Sequence, residues 1–164
     1  MDILFTSQNY FIPLLEVILS MVLGGFIGAE RSIAGKTAGM RTYSLVAVGA
    51  TLFVIVSQFL PADIHGDILR FPSAIITGIG FLGAGLIVFR EHKDSISGLT
   101  TAAGLWVAAG IGVAVGFGLY VFAIWTTLIT LFIFTIMWDI EQKLIKMAEE
   151  RKVYSEDEIA RNRM

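Results

Sequence analysis

Three long stretches without a charged residue constrain this chain more than any other feature. They cover residues 42–62, 71–89 and 95–138. Only 16% of the 164 residues are charged, against about 25% in an average soluble domain. A helix needs about 20 apolar residues to cross a bilayer, and each stretch has about that length or more. The pattern predicts an all-α, polytopic membrane protein and excludes a soluble enzyme, a secreted disulfide scaffold and a disordered chain.

The apolar segments divide into five transmembrane helices, which we place at about 11–29, 42–60, 73–89, 99–115 and 119–138. A single helix over residues 95–138 would be about 66 Å long, twice the hydrocarbon core of about 30 Å. We therefore expect a turn at Gly116-Phe117-Gly118. The membrane domain then covers residues 1–138, and residues 139–164 form a short helical tail.

Basic residues indicate how the five helices are oriented. Of the 12 lysines and arginines, all but Arg70 fall on one side of the five spans. Because Lys and Arg are enriched in cytoplasmic loops, we expect the N-terminus outside and the C-terminus in the cytoplasm. Four or six spans would scatter the basic residues over both sides.

Small residues recur at helical spacing inside the spans. Span one contains Gly24 and Gly28, and span four contains Gly112 and Gly116, in each case four residues apart. Span three is denser still in glycine and contains Gly78, Gly80, Gly83 and Gly85. Small residues let helix backbones approach closely in lipid. Tight packing explains the first two sets, whereas span three also suits a bent helix beside a cavity.

An internal repeat is also visible. Gly-Phe-Ile-Gly-Ala at residues 25–29 recurs as Gly-Phe-Leu-Gly-Ala at residues 80–84. A charged loop and a second small, apolar span follow each copy. The interpretation is two parallel hairpins, spans one–two and three–four, related by an axis along the membrane normal as in some transporters, plus a fifth helix.

Ionisable residues inside or beside the spans are the candidates for function. Glu16 is an acid within span one, where it either ligates a cation or proton or reaches the outer interface. Glu30, Arg31, Arg41 and Thr42 lie at the inner ends of spans one and two. They could pair across the hairpin, or form a polar cluster that binds an ion, an anion or a partner's charged segment.

Two further sets of polar residues lie at span ends. Asp63 and Asp67 offer oxygen ligands of the kind that Mg²⁺ prefers, although Asp67 could instead pair with Arg70 three residues on. Thr100 and Thr101 follow a glycine at the start of span four. We expect them to cap that helix, or alternatively to line a cleft.

The remaining motifs exclude several activities. The chain has no cysteine and two histidines, and it contains no Ser/His/Asp set, P-loop or HExxH pattern. Membrane topology accounts for the basic residues, so no nucleic-acid partner is expected. We predict that the protein is not an enzyme and has no resident cofactor, Mg²⁺ at the aspartates apart.

Three ordered motifs resemble those of the MgtC/SapB family of bacterial membrane proteins. They are Gly-Ala-Glu-Arg at 28–31 with Lys-Thr-Ala-Gly-Met-Arg-Thr at 36–42, Thr-Gly-Ile-Gly-Phe-Leu-Gly-Ala-Gly at 77–85, and Gly-Leu-Thr-Thr-Ala-Ala at 98–103. The resemblance implies an inner-membrane protein linked to magnesium limitation, which regulates other membrane proteins. The family's polar positions fall on the eight residues Glu30, Arg31, Arg41, Thr42, Asp67, Arg70, Thr100 and Thr101.

The chain departs from the family pattern in three places. Ala74 stands where a glutamine is common, and Gly104 where a threonine is common. Many members continue into a soluble ACT-like domain, which the residues after 138 are too few to form.

Two functions follow as expectations. The first is a homodimeric, non-enzymatic regulator that docks on a partner such as an ion pump through the small-residue face of Gly24 and Gly28. In that mechanism Glu30, Arg31 and Arg41 set the cytoplasmic register. The alternative is a small transporter or channel for Mg²⁺, H⁺ or a small solute, with its pathway between the two hairpins.

Overall fold

The fold is almost entirely helical. A computed structural model describes residues 11–59, 70–90 and 95–161. The helices are α1 (Phe11–Ile33), α2 (Met40–Gln58), α3 (Arg70–Leu86), α4 (Leu99–Gly116), α5 (Tyr120–Phe132) and α6 (Trp138–Arg161), with a π-helical turn at Ile133–Met137. Two short antiparallel strands, β1 (Val88–Arg90) and β2 (Ser95–Ser97), join α3 to α4.

Helix length and composition match a polytopic membrane protein. Within the described ranges, the helical segments long and apolar enough to cross a membrane are Phe11–Ile33, Met40–Gln58, Leu99–Gly116 and Tyr120–Ala148. Helix α3 is also apolar, and its 17 residues reach the short end of the range for a transmembrane helix. It ends at Leu86 rather than at residue 89, because residues 88–90 pair as a strand with residues 95–97.

The chain forms two compact units, Met1–Thr130 and Leu131–Met164. The described part of the second unit consists of the last two residues of α5, the π-helical turn and α6, so the tail is helical as far as Arg161. The boundary expected after residue 138 is a different one, since it marks where the chain leaves the membrane for the cytoplasm. It stays a prediction.

Helices α2 and α4 form the centre of the first unit. Helix α1 packs on both, and α3 packs on α4 and touches α2. Side chains of α2 donate hydrogen bonds to backbone carbonyls of α4: Tyr43 to Thr101 at 3.3 Å, Thr51 to Gly112 at 2.8 Å and Gln58 to Gly116 at 2.7 Å. Because residue numbers rise together in both helices, α2 and α4 run parallel.

The glycines of spans one and four lie at these helix contacts. A Cβ added to Gly116 would come within 2.7 Å of the Val54 Cβ, and one on Gly24 within 2.7 Å of the Tyr43 carbonyl oxygen. A Cβ on Gly28 would likewise overlap the backbone of Met40, and one on Gly112 would overlap the backbone of Ala47. Close approach of backbones therefore depends on glycine at these positions.

Two helices end in a turn with glycine in the left-handed region. The turn expected at 116–118 is present, with Gly118 at φ +74°. The Leu119 amide donates to the Ala114 carbonyl at 2.8 Å and the Gly118 amide to the Val115 carbonyl at 2.9 Å. This is a Schellman motif, which satisfies the last carbonyls of α4. Gly35, at φ +65°, ends α1 in the same way.

Parallel α2 and α4 are what two hairpins inserted in the same direction require. Helix α1 contacts α4 as well as α2, and α3 contacts α2 as well as α4, so the pattern of neighbours is the same for both hairpins. Superposition of the two hairpins stays a prediction.

Candidate functional site

An ion pair between a buried arginine and a half-buried glutamate lies at the end of α1, close to where α2 begins. The Arg31 side chain is 3% exposed and that of Glu30 is 17% exposed. Arg31 Nη2 donates to Glu30 Oε1 at 2.7 Å, and Arg31 Nε donates to the other carboxylate oxygen. Burial of the Arg31 charge is tolerated because it pairs with Glu30 through two hydrogen bonds.

Tyr43 of α2 is a second buried polar side chain, which joins α2 to α4. Its side chain is fully buried, and its hydroxyl donates to the Thr101 carbonyl. A buried tyrosine usually finds a hydrogen-bond partner. Sequence reasoning missed Tyr43. A tyrosine near the end of a membrane helix is common, and nothing in the sequence distinguishes Tyr43 from an interfacial residue of that kind.

The polar cluster predicted from α1 and α2 is only partly assembled. Glu30 pairs with its own neighbour Arg31, whereas Arg41 and Thr42 are exposed. In the part of the chain that the structure describes, the Arg41 side chain has no hydrogen bond or ion pair. The helix direction explains this, because Arg41, in the first turn of α2, lies on a different face from Tyr43, two residues on.

The threonines of α4 do not cap it. The N-cap is Gly98, at φ +94°, with no side-chain cap bond; the capping prediction is therefore wrong. Thr101 is instead buried, 4% exposed, and presents its carbonyl to Tyr43, while Thr100 is exposed. A Cβ at Gly98 would overlap the Leu86 carbonyl, so close approach of the chain after α3 demands glycine there.

The remaining polar candidates lie elsewhere. Arg70 is the first residue of α3, at the opposite end of the bundle from Arg31, and is exposed. The magnesium prediction at Asp63 and Asp67 falls outside the described residues. Over the ranges that are described, no three His, Cys, Asp or Glu side chains group closely enough to hold a metal ion.

Glu16 makes an interhelical hydrogen bond. The Tyr120 hydroxyl, at the start of α5, donates to Glu16 Oε1 at 2.6 Å. Both residues line a lateral groove of about 630 Å³ between α1 and α5. The acid predicted in span one is therefore held by a second helix rather than isolated.

A second lateral groove, of about 750 Å³, separates α2 from α3. Its lining is apolar apart from Thr42, and Gly49 and Gly78 both have open space where a Cβ would stand. The other lining residues are Leu45, Val46, Ala50, Phe53, Phe71, Ala74, Ile75, Ile79 and Leu82.

The glycines of α3 are mostly not at helix contacts. Gly83 would meet only the Ala102 Cβ at 3.5 Å, and Gly78, Gly80 and Gly85 have nothing within 4 Å. The opposite holds for Gly24 and Gly28, which are buried against α2. The expectation that Gly24 and Gly28 present a docking face is therefore wrong, because α2 already occupies that face.

These features define a class: a polytopic helical membrane protein whose centre is a tightly packed α2–α4 contact and whose grooves open sideways. The model of the MgtC family matches residues 17–143. The chain belongs to the MgtC family.

Named relatives agree with this assignment. "Putative magnesium transporter YhiD" of Escherichia coli (strain K12) is 38% identical over 138 residues, which cover 80% of this chain and 63% of that protein. "Protein SrpB" of Synechococcus elongatus is 39% identical over 63% of each chain. "Protein MgtC" of Salmonella typhimurium (strain LT2) is 44% identical over 55% of this chain and 37% of its own length.

The match thus covers less than two thirds of each of these relatives. No solved structure matches the chain. These likenesses establish the family, and the long apolar helices agree with a membrane protein.

Proposed function

We propose that the protein is a non-enzymatic regulator of partner membrane proteins in magnesium homeostasis, and that it contacts its partner from within the bilayer. Family membership and the name of the Escherichia coli relative support the link to magnesium. The groove between α2 and α3 supports this mode of action. It is an open surface on the membrane helices, whereas the face of Gly24 and Gly28 is covered by α2.

The groove suits a transmembrane helix of the partner. Gly49 lies about 13 Å along α2 from Met40, and Gly78 about 12 Å along α3 from Leu86, at 1.5 Å per residue. The two helices are antiparallel, so both glycines lie at a similar depth. Neither has a neighbour within 4 Å. Association of helices in lipid relies on such small residues.

Substitutions that fill the groove test this proposal. Gly49→Leu and Gly78→Leu add a side chain into open space, so the fold should persist. Gly110→Leu is the matched control, because Gly110 on α4 also has nothing within 4 Å. In cells that lack their own copy and grow at low magnesium, we expect the control variant to restore growth and the two groove variants to fail.

Membrane levels and thermal unfolding of each variant verify that it inserts and folds. Full restoration of growth by both Gly49→Leu and Gly78→Leu would contradict docking in this groove.

The alternative is a small cation transporter or channel. It is favoured by the name of the Escherichia coli relative, and the α2–α3 groove lies between the two hairpins, where that pathway was expected. The lining favours the regulator, since Mg²⁺ prefers oxygen ligands and this lining is apolar apart from Thr42.

Flux measurements discriminate the two functions. We expect purified protein in liposomes to produce no saturable Mg²⁺ or H⁺ flux, with or without an imposed potential. Saturable flux that Glu16→Gln, Arg41→Ala or Asp67→Ala abolishes would establish transport and make regulation secondary.

Localisation and assembly complete the proposal. We infer a place in the bacterial inner membrane, N-terminus outside and C-terminus in the cytoplasm, and a homodimer in contact with membrane lipid. The asymmetry of Lys and Arg along the chain supports this orientation.

A further inference from the structure

The groove between α1 and the start of α5 combines one acid with an aliphatic wall. Its lining consists of Ile12, Leu15, Glu16, Ile18, Leu19, Val22 and Tyr120. Within this lining the polar side chains are Glu16 and Tyr120, which bond to each other at 2.6 Å. The ligand that fits must therefore have a polar end and a long apolar part.

The dimensions of the groove match one leaflet of a bilayer. From Ile12 to Val22, α1 rises about 15 Å, which is half of the hydrocarbon core of about 30 Å. Glu16 lies about 6 Å from the Ile12 end, and the aliphatic strip continues from it through Leu19 to Val22. From Glu16 to Val22 this strip is about 9 Å long, which suits the upper part of an acyl chain whose headgroup lies beside Glu16.

Charge decides which headgroup fits. The Tyr120 hydroxyl occupies one oxygen of the Glu16 carboxylate, and an ionised carboxylate can accept about four hydrogen bonds. In its ionised form the Glu16 carboxylate therefore offers both negative charge and further acceptor positions to a cationic donor. A primary ammonium supplies charge and three N–H donors, whereas a trimethylammonium group supplies charge alone.

We propose that this groove binds an aminophospholipid. Its acyl chain lies along Leu15, Leu19 and Val22, and its primary ammonium donates a hydrogen bond to Glu16. Tyr120 is a positioning residue that holds the carboxylate toward the headgroup. The proposal is independent of the regulatory function, since it uses neither the α2–α3 groove nor the Arg31 site.

Binding of a graded headgroup series tests the proposal. Native mass spectrometry of the full chain is carried out with dioleoyl phosphatidylethanolamine and its mono-, di- and trimethylated forms. Charge-assisted hydrogen bonds contribute about 1.5–3 kcal/mol. We therefore expect the primary amine to bind at least about tenfold more tightly than the trimethylated lipid.

Variants test whether Glu16 and the aliphatic strip are responsible for this lipid preference. Glu16→Gln should prefer the primary amine over the trimethylated lipid by a smaller factor than the parent does, because its neutral amide oxygen is a weaker acceptor. Glu141→Gln on α6 should discriminate as the parent does. Leu19→Trp fills the groove and should weaken binding of both lipids. Equal binding of both lipids by the parent protein, undiminished discrimination in Glu16→Gln, or unchanged binding by Leu19→Trp would each overturn the proposal.

A competition on the parent protein keeps the test decisive if Glu16→Gln fails to fold. Oleylamine should displace the bound aminophospholipid, and oleyl alcohol of the same chain length should not. Equal displacement by the two would show that only the chain is recognised, and would overturn the proposal.

Discussion

At the scale of single residues, the glycines of this chain differ in what surrounds them rather than in spacing. Gly112 stands against the backbone of Ala47, whereas Gly110, two residues earlier on the same helix, has open space beside it. The same sequence pattern, glycine in an apolar helix, thus includes positions that tolerate no Cβ and positions that would accept one.

Alanine substitution should separate these two kinds of glycine. Gly112→Ala pushes a methyl group into the α2 backbone and should lower the free energy of unfolding by about 1–3 kcal/mol, as overpacking does. Gly110→Ala should leave it unchanged or raise it by up to about 1 kcal/mol, because alanine favours the helix. Unfolding in detergent micelles measures both, and equal effects would contradict the assigned α2–α4 contact.

The hydrogen bond from Thr51 to the Gly112 carbonyl should contribute measurably. Thr51→Val keeps the shape of the side chain and removes the donor, so we expect a loss of about 0.6 kcal/mol, with about 1.7 kcal/mol as the upper end for such bonds in membranes. Thr77→Val is the control, because the Thr77 hydroxyl donates to the Ser73 carbonyl of its own helix. A control as destabilised as Thr51→Val would refute an interhelical contribution.

At the scale of elements, glycine ends two helices by conformation rather than by contact. Gly35 has φ +65° and nothing within 4 Å of its Cβ position. A substitution at Gly35 therefore tests the left-handed backbone conformation without adding a steric clash.

Gly35→Ala should cost about 1–2 kcal/mol, since the left-handed region is unfavourable for residues with a Cβ. Gly35→Asn should cost less, because asparagine adopts this conformation more readily. Thermal unfolding of the two variants against the parent provides the comparison. An alanine variant as stable as the parent would mean that the α1–α2 turn can re-form without a left-handed residue.

At the scale of the whole molecule, parallel α2 and α4 place the α1–α2 loop and the α4–α5 turn at opposite ends of the bundle. The sequence contains no cysteine, so a thiol reagent can label this protein only at a cysteine that is introduced by substitution.

Labelling of intact cells should distinguish these two ends. We expect a membrane-impermeant thiol reagent to label Leu119→Cys from outside and Thr37→Cys only after permeabilisation. Labelling of both from the same side would contradict the parallel helices, and the reverse pattern would invert the proposed orientation.

The amino-acid sequence by itself determined the class of protein, the approximate spans, the turn at 116–118 and the family. These follow from local chemistry: hydrocarbon excludes charge over about 20 residues, a helix of fixed rise has a fixed reach, and motifs are read directly from the chain.

Only the tertiary structure decided which faces meet. Spacing predicts a small-residue face on α1, but it does not predict that α2 covers this face. Most glycines of α3, by contrast, have no neighbouring helix within 4 Å. Tyr43 and the hydrogen bonds from α2 to α4 were not foreseen, because their partners are backbone carbonyls, which every residue possesses. The grooves beside Gly49 and Glu16 likewise arise from how far neighbouring helices separate, a property of pairs of helices that no single helix encodes.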